Sequence, residues 1–319
     1  MPNPPQVQDS HTFLRQLSLC LLFILGICSL SALEYNVVHT SEYIAYYSPE
    51  PISSSMRRIA SLLDDRIADL HQNLGLYPTA KVAVYIVPDK HSYRELSIGR
   101  ADIIEFSDAF YSGSEGRIYI RSGDQIEDSY TNVLMHEYIH WYVEQYFIST
   151  PLWFHEGMAV YFSGQLGYER YLVYLRESLR GKKGNLYRLS YNYPQERRDW
   201  ELFYLSSAMA VRYMQNSHTE NWKEFWDIVA AGHRAGGRLR FSEVFVMSYR
   251  TSVYDFTRAF EVQSRRQGYL YLFAAVNGII FLILPVVMLV IARKRRKILN
   301  RMQDYDLPEE SEPEDQIQG

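Results

Sequence analysis

The order of segments along the chain predicts an α+β fold: a small mixed sheet, then a helical half, then one C-terminal transmembrane helix. Three observations carry this. Before about residue 125, beside one long stretch of helical spacing, apolar positions alternate in short runs, the period of a strand with one buried face. After it, apolar positions recur at three- and four-residue intervals, the period of a helix. Last, Tyr269 to Ala292 is apolar without a single charge. The chain has 319 residues, enough for one or two domains and a substantial core.

At the N-terminus, Leu17 to Leu30 is almost wholly apolar, Arg15 precedes it, and the small residues Ser29, Ser31 and Ala32 close it. This reads as a secretory signal over 1–32, cut after Ser31 or Ala32, with an uncleaved anchor helix as the other reading. Both readings place the domain over 33–267 outside the cytoplasm. Within it, Met56 to Leu76 carries Ile59, Leu62, Leu63, Ile67, Leu70 and Leu74 at helical spacing, and Gly75 and Pro78 close the helix. Lys81 to Val87 alternates Val82, Val84 and Ile86 and reads as a strand ending at Pro88. His91 to Ser97 is a short helix. Ala109 to Ser112 and Arg117 to Arg121 flank Gly113-Ser114-Glu115-Gly116 and read as a hairpin.

The helical half begins after Gln125. Asp128 or Ser129 can cap a helix that reaches about Phe147, because a short polar side chain there accepts from the free N–H groups of the first turn. Pro151 interrupts, and a second helix starts near Phe154 and passes Tyr161. Further helices are expected over Tyr168–Leu179, Asp199–Gln215, Asn221–Ala231, Phe241–Met247 and Val253–Arg266. The apolar segment 269–292 is long enough to span hydrocarbon with some tilt, and Pro285 is placed to kink it. The cluster Arg293-Lys294-Arg295-Arg296-Lys297 marks its cytoplasmic end. The tail 293–319 turns acidic from Asp304 and is expected to be disordered. The reading is therefore a single-pass protein of the cell membrane, its domain extracytoplasmic and its C-terminus cytoplasmic. A bacterial inner membrane with a periplasmic domain suits it.

The formal net charge of −4 mixes basic and acidic blocks that partly cancel in the tail, and nothing in the chain points to nucleic acid. The two cysteines, Cys20 and Cys28, both fall in the signal. The external domain thus has no disulfide, and a metal there must be held by His, Asp or Glu.

Such a metal is indicated. His136-Glu137-Tyr138-Ile139-His140 is an HExxH motif on a predicted helix whose apolar residues include Val133, Leu134, Ile139 and Val143. Residues four apart share a helix face, so His136 and His140 can bind one ion, with Glu137 over its open side to take a proton from water. A catalytic zinc keeps three protein ligands. Glu156, at the start of the next helix with Gly157 and Ala159 allowing close packing, is the choice for the third. His155 is its rival, one step round the helix, and otherwise a surface or supporting residue.

HExxH followed by Trp153-Phe154-His155-Glu156-Gly157-Met158-Ala159-Val160-Tyr161 resembles the gluzincins, the peptidase MA-like metallopeptidases, over Val133 to Phe162. The resemblance implies a zincin-like catalytic subdomain, Zn²⁺ held by His136, His140 and Glu156, and Glu137 as general base. Tyr204, in Phe203-Tyr204-Leu205-Ser206-Ser207, resembles the family's downstream tyrosine that steadies the oxyanion; core packing is its other reading. His218 and His233 are lesser candidates for that role. Ala109–Ser112 lies about where the family keeps an edge strand for peptide substrates. The Gly-x-Met-Glu-Asn segment with which its aminopeptidases hold a free amine is missing, which favours an endopeptidase. The expected function is hydrolysis of peptides or proteins by a membrane-anchored zinc metallopeptidase. A non-catalytic peptide-binding or envelope-structural protein on the same fold, and a zinc hydrolase of a non-peptide bond, are the alternatives. The sequence leaves the oligomeric state open.

Overall fold

The computed structural model describes residues 34–100, 108–122, 127–180 and 185–303. The segment read as a signal, 1–32, and the acidic tail from Asp304 lie outside them. The order is sheet first, helices second: a mixed α+β architecture with a small sheet and one long apolar C-terminal helix.

Strands β1 (Asn36–Thr40), β2 (Ile44–Ser48), β3 (Val82–Val87), β4 (Ala109–Ser112) and β5 (Arg117–Arg121) form one sheet in the order β1-β2-β3-β5-β4. The pairs β2/β3 and β3/β5 are parallel, and β1/β2 and β4/β5 are antiparallel. The expected hairpin is β4–β5, with Phe110 opposite Tyr119 and Tyr111 opposite Ile118. Its position leaves β4 at a sheet edge. Between the strands run α1 (Ser54–Leu74) and α2 (Lys90–Ser97). Helix α1 ends as predicted, on Gly75 in the left-handed region at φ 66°, where a side chain would be strained.

The helical half contains α3 (Glu127–Tyr146), α4 (Leu152–Phe162), α5 (Tyr168–Leu179), α6 (Trp200–Ser217), α7 (Thr219–Arg234) and α8 (Phe241–Tyr249). Asp128 and Ser129 already lie inside α3, so neither is the cap ahead of it. A two-residue ladder of β6 (Phe147–Ile148) and β7 (Leu239–Arg240) clips the end of α3 to the start of α8.

Helix α3 buries most of its length in the core, and contacts with α1 fix its register. Leu134, Met135, Tyr138, Ile139, Tyr142, Val143 and Tyr146 are all buried. On its far side the His71 Nε2 atom of α1 meets the Tyr138 hydroxyl at 2.9 Å, and the Tyr142 hydroxyl donates to the Leu76 carbonyl at 3.1 Å. Arg66 of α1 donates to the Asn132 side chain of α3 at 2.7 Å and to the Ser163 carbonyl beyond α4. The motif helix is thus anchored in the core on one face and opens on the other.

The predicted helix 253–266 and the predicted span 269–292 are one helix, α9 (Val253–Gln303, 51 residues), which passes 267–269 without a break and continues through the basic cluster. No proline intervenes there, and one glycine, Gly268, is too weak a breaker to stop a helix so strongly favoured on both sides. Pro285 lies inside it. The first turns are part of the domain core through Phe256 and Phe260. From Tyr269 on the apolar side chains face outward all round, and α9 is long and apolar enough to cross a membrane.

Candidate metal centre

Two helices bring three donor atoms together. The Nε2 atoms of His136 and His140, one turn apart on α3, are 3.0 Å from each other. The Oε2 atom of Glu156 on α4 lies 3.5 Å from the first and 3.6 Å from the second. Donors bound at ~2.0–2.1 Å around a tetrahedral zinc are about 3.3 Å apart, so this triangle has the size of one face of such a site. Two imidazole nitrogens approach this closely by sharing a proton or a cation. Moreover, Glu156 Oε2 is buried with no hydrogen-bond partner, a costly state for a carboxylate oxygen that a bound cation relieves. Among the described residues, these three side chains form the one group with metal-ligand geometry.

The α3–α4 connection explains how Glu156 arrives. The chain turns through Ser149, at φ 56°, and Pro151 precedes the first residue of α4. Gly157 then lets α4 approach α6 closely: a Cβ at that position would lie 2.4 Å from the Ser207 carbonyl oxygen. The close packing read from Gly157 is therefore made with α6, and Glu156, one residue away, looks back toward α3.

The electrostatics suit cation binding. Burial raises the pKa of Glu156, but His140 and His136 overcome it and hold the carboxyl down at about 2, so it is ionised at neutral pH. Burial pushes His140 well below the usual imidazole value, which leaves it neutral with a lone pair to give. Burial works the same way on His136, but Glu156 and Glu137 outweigh it and raise the pKa, so its proton must leave when a metal arrives. Glu137, deeply buried, is pushed up to about 7 by burial; the neighbouring His136 opposes the rise and the Glu156 carboxylate adds to it.

His155 lies outside this group of three donors. Its Nδ1 lies 2.7 Å from His140 Nδ1, and the two rings stack at 11° with centroids 4.7 Å apart. With His140 Nε2 turned to the triangle, its Nδ1 shares this hydrogen bond with His155, which fixes the orientation of the ring. Tyr193, which no sequence pattern singles out, donates its hydroxyl to Glu156 Oε1 and leaves Oε2 to face the histidines. It lies between α5 and α6 in Asn192-Tyr193-Pro194-Gln195, where no periodicity marks it; only the folded chain brings it to the site.

The triangle opens into a cleft of about 470 Å³ lined by β4 residues Ala109, Phe110 and Tyr111, by Glu137 and Glu144 of α3, and by Tyr193 and Tyr204. Glu144, one turn beyond His140, accepts from the Tyr111 hydroxyl at 2.8 Å and so ties α3 to the edge strand. Tyr204 is half-buried on the cleft wall. Among the described residues no partner takes its hydroxyl, and burial together with the carboxylates of Glu156 and Glu137 raises its pKa. Its ring packs against the core, and the residue also lines the cleft. His218 and His233 are elsewhere: His218 sits among Tyr213, Tyr249 and Phe256, and His233 packs on Tyr146. In comparison with known proteins, the chain matches no family model and no curated protein.

Proposed function

We propose that this protein is a membrane-anchored zinc metallopeptidase, an endopeptidase of the gluzincin type, with its domain outside the cytoplasm. The observation that carries the reading is the convergence of His136, His140 and Glu156 beside Glu137 at the floor of a cleft edged by β4. The donor set fits zinc: two neutral-capable imidazoles and one carboxylate, with a cation-sized triangle between them. Zinc bound there supplies Lewis acidity, lowering the pKa of water and polarising a carbonyl.

The chain's own groups do the rest. Glu137, held near neutrality by burial, is matched to accept a proton from the attacking water and return it to the leaving amine. Tyr204 offers a hydroxyl donor to the oxygen on which negative charge develops. Strand β4, last in the sheet order among the described residues, offers backbone groups to an extended peptide, which fixes the scissile bond over the site. His155 and Tyr193 hold the ligands in place.

The test is incubation of the zinc-loaded full chain with a mixed peptide library, beside Glu137→Gln. Cleavage by the wild type and a loss of about 10²-fold or more in the variant support the proposal. A library left intact by wild type that holds zinc removes the peptidase reading. Equal cleavage by both proteins removes Glu137 as the base.

A further inference from the structure

Helix α5 crosses α9 at the level where the apolar span begins. Tyr174 of α5 hydrogen-bonds Ser264 of α9. The Tyr171 ring meets Tyr271 edge-on at 6.2 Å, and Leu179 stands 3.4 Å from where a Cβ on Gly268 would be. Tyr171 and Leu179 are about 12 Å apart along α5, yet their contacts on α9 are only about 4.5 Å apart along its axis. The two helices therefore cross steeply, and α5 runs across α9 rather than along it. If α9 stands in a bilayer, α5 lies near the plane of its surface.

The sides of α5 are chemically distinct. At about 100° per residue, Tyr168, Tyr171, Leu172, Leu175 and Leu179 make one stripe, at i, i+3, i+4, i+7 and i+11. Tyr174 and Glu177 face the interior, and the charged Glu169, Arg176 and Arg180 are exposed beside the stripe. The contacts with α9 give the stripe its direction. The inward-facing Tyr174 meets α9 at Ser264, whereas Tyr171 and Leu179, which belong to the stripe, meet it four to seven residues nearer the C-terminus. Turning from the interior toward the stripe is thus turning toward the span. At the centre of this stripe Tyr168 is 76% exposed and Leu172 is 45% exposed, and beside them Tyr269 and Tyr271 open the apolar segment at 62% and 52%. Water has no use for such a surface; a headgroup boundary does, since tyrosine and leucine on one side of a surface-parallel helix enter it.

We propose that the Tyr168–Leu172 stripe of α5 rests on the lipid headgroup boundary, so that the domain lies against the bilayer. The occupant is lipid because the stripe is continuous with the start of the span, through Tyr171 on Tyr271. This rests on reading Tyr269–Ala292 as membrane-spanning, and the test separates the two.

Single cysteines replace Tyr168, Leu172, Glu169 or Leu282 in the full chain with Cys20 and Cys28 changed to serine. Each carries an environment-sensitive fluorophore and is reconstituted in vesicles of phosphatidylethanolamine and phosphatidylglycerol. Tyr168, Glu169 and Leu172 are exposed and Leu282 faces outward, so the labels leave packing alone. At Tyr168→Cys and Leu172→Cys we expect iodide quenching at least about threefold weaker than at Glu169→Cys, together with quenching by nitroxide lipids. Equal iodide access at all three overturns the proposal. Shielding of positions 168 and 172 from both quenchers also overturns it, since protein, such as a second copy, would then cover the stripe. Iodide access at Leu282→Cys removes the span itself, and the proposal with it; lipid quenching there leaves the span standing whatever α5 does.

Discussion

Gly157 offers the sharpest link from packing to site. An added Cβ would lie 2.4 Å from the Ser207 carbonyl oxygen, 2.7 Å from its carbon and 2.8 Å from Val211 Cγ2. Two of these are backbone atoms of α6, which cannot rotate away. Restoring ordinary contact requires α4 to retreat from α6 by about 1 Å, at a cost typical of overpacking, ~1–3 kcal/mol or more. Alanine regains up to about 1 kcal/mol of helix propensity, so Gly157→Ala is expected to lose roughly 1–2 kcal/mol net. That corresponds to a fall in Tm of about 2–8 °C for a domain of this size. A retreat of that size carries Glu156 away from histidine nitrogens 3.5 and 3.6 Å distant, so zinc affinity should fall with Tm. Thermal denaturation followed by circular dichroism reads the first effect, and competitive zinc titration reads the second. Gly232→Ala is the control: its Cβ would lie 2.5 Å from Leu239 Cδ1, the end of a flexible side chain away from the cleft, so it should spare zinc affinity. Gly157→Ala with unchanged Tm and unchanged zinc affinity would refute the reasoning.

Three further outcomes are expected. His155→Ala and Tyr193→Phe each remove a bond that holds a ligand, and should weaken zinc binding by about 10–100-fold by competitive titration while leaving the far-ultraviolet spectrum unchanged. His71 is fully buried, and burial lowers its pKa from 6.5 to about 4. The unfolded chain therefore takes up this proton first on acidification, and stability present above pH 6.5 is lost as pH falls toward 4, by at most about 3 kcal/mol. His71→Phe should show a lower Tm at neutral pH but a flatter decline between pH 6.5 and 4, and an unchanged decline would exclude His71 as its source. Prolonged dialysis against a strong chelator should abolish peptide cleavage, with zinc restoring it and magnesium failing to, because two of the three donors are imidazoles.

Much of the helical half was legible in the sequence because its apolar positions repeat over many turns. Tyr168–Leu179 is found at the bounds its periodicity gives, and α4, α6, α7 and α8 begin or end within a few residues of theirs. The hairpin was legible from Gly113-Ser114-Glu115-Gly116 between two runs of strand period. Strands β1 and β2 were not: each has five residues, and β1 is an edge strand with little buried surface, so no alternation marks it. The break expected between the domain and the span was a reading of composition, and a change of composition does not end a helix. At the site, the His136 and His140 pair was legible because i, i+4 spacing is local. Glu156 was legible because helix-loop-helix geometry over so short a connection leaves few alternatives. Tyr193 was not, since its contact with Glu156 is set by a loop whose path depends on the whole helical half. His155 stood beside the motif, yet its role depends on which way His140 turns its other nitrogen, a tertiary fact.

The most direct measurement is the zinc content of the purified full chain, wild type beside His136→Ala, His140→Ala and Glu156→Ala, after supply of zinc and removal of free ion. One zinc per wild-type chain, lost in each variant, is the result expected of a triangle built from these three side chains. A wild type that takes up no zinc, or a Glu156→Ala chain that holds it as tightly as the wild type, would contradict the account.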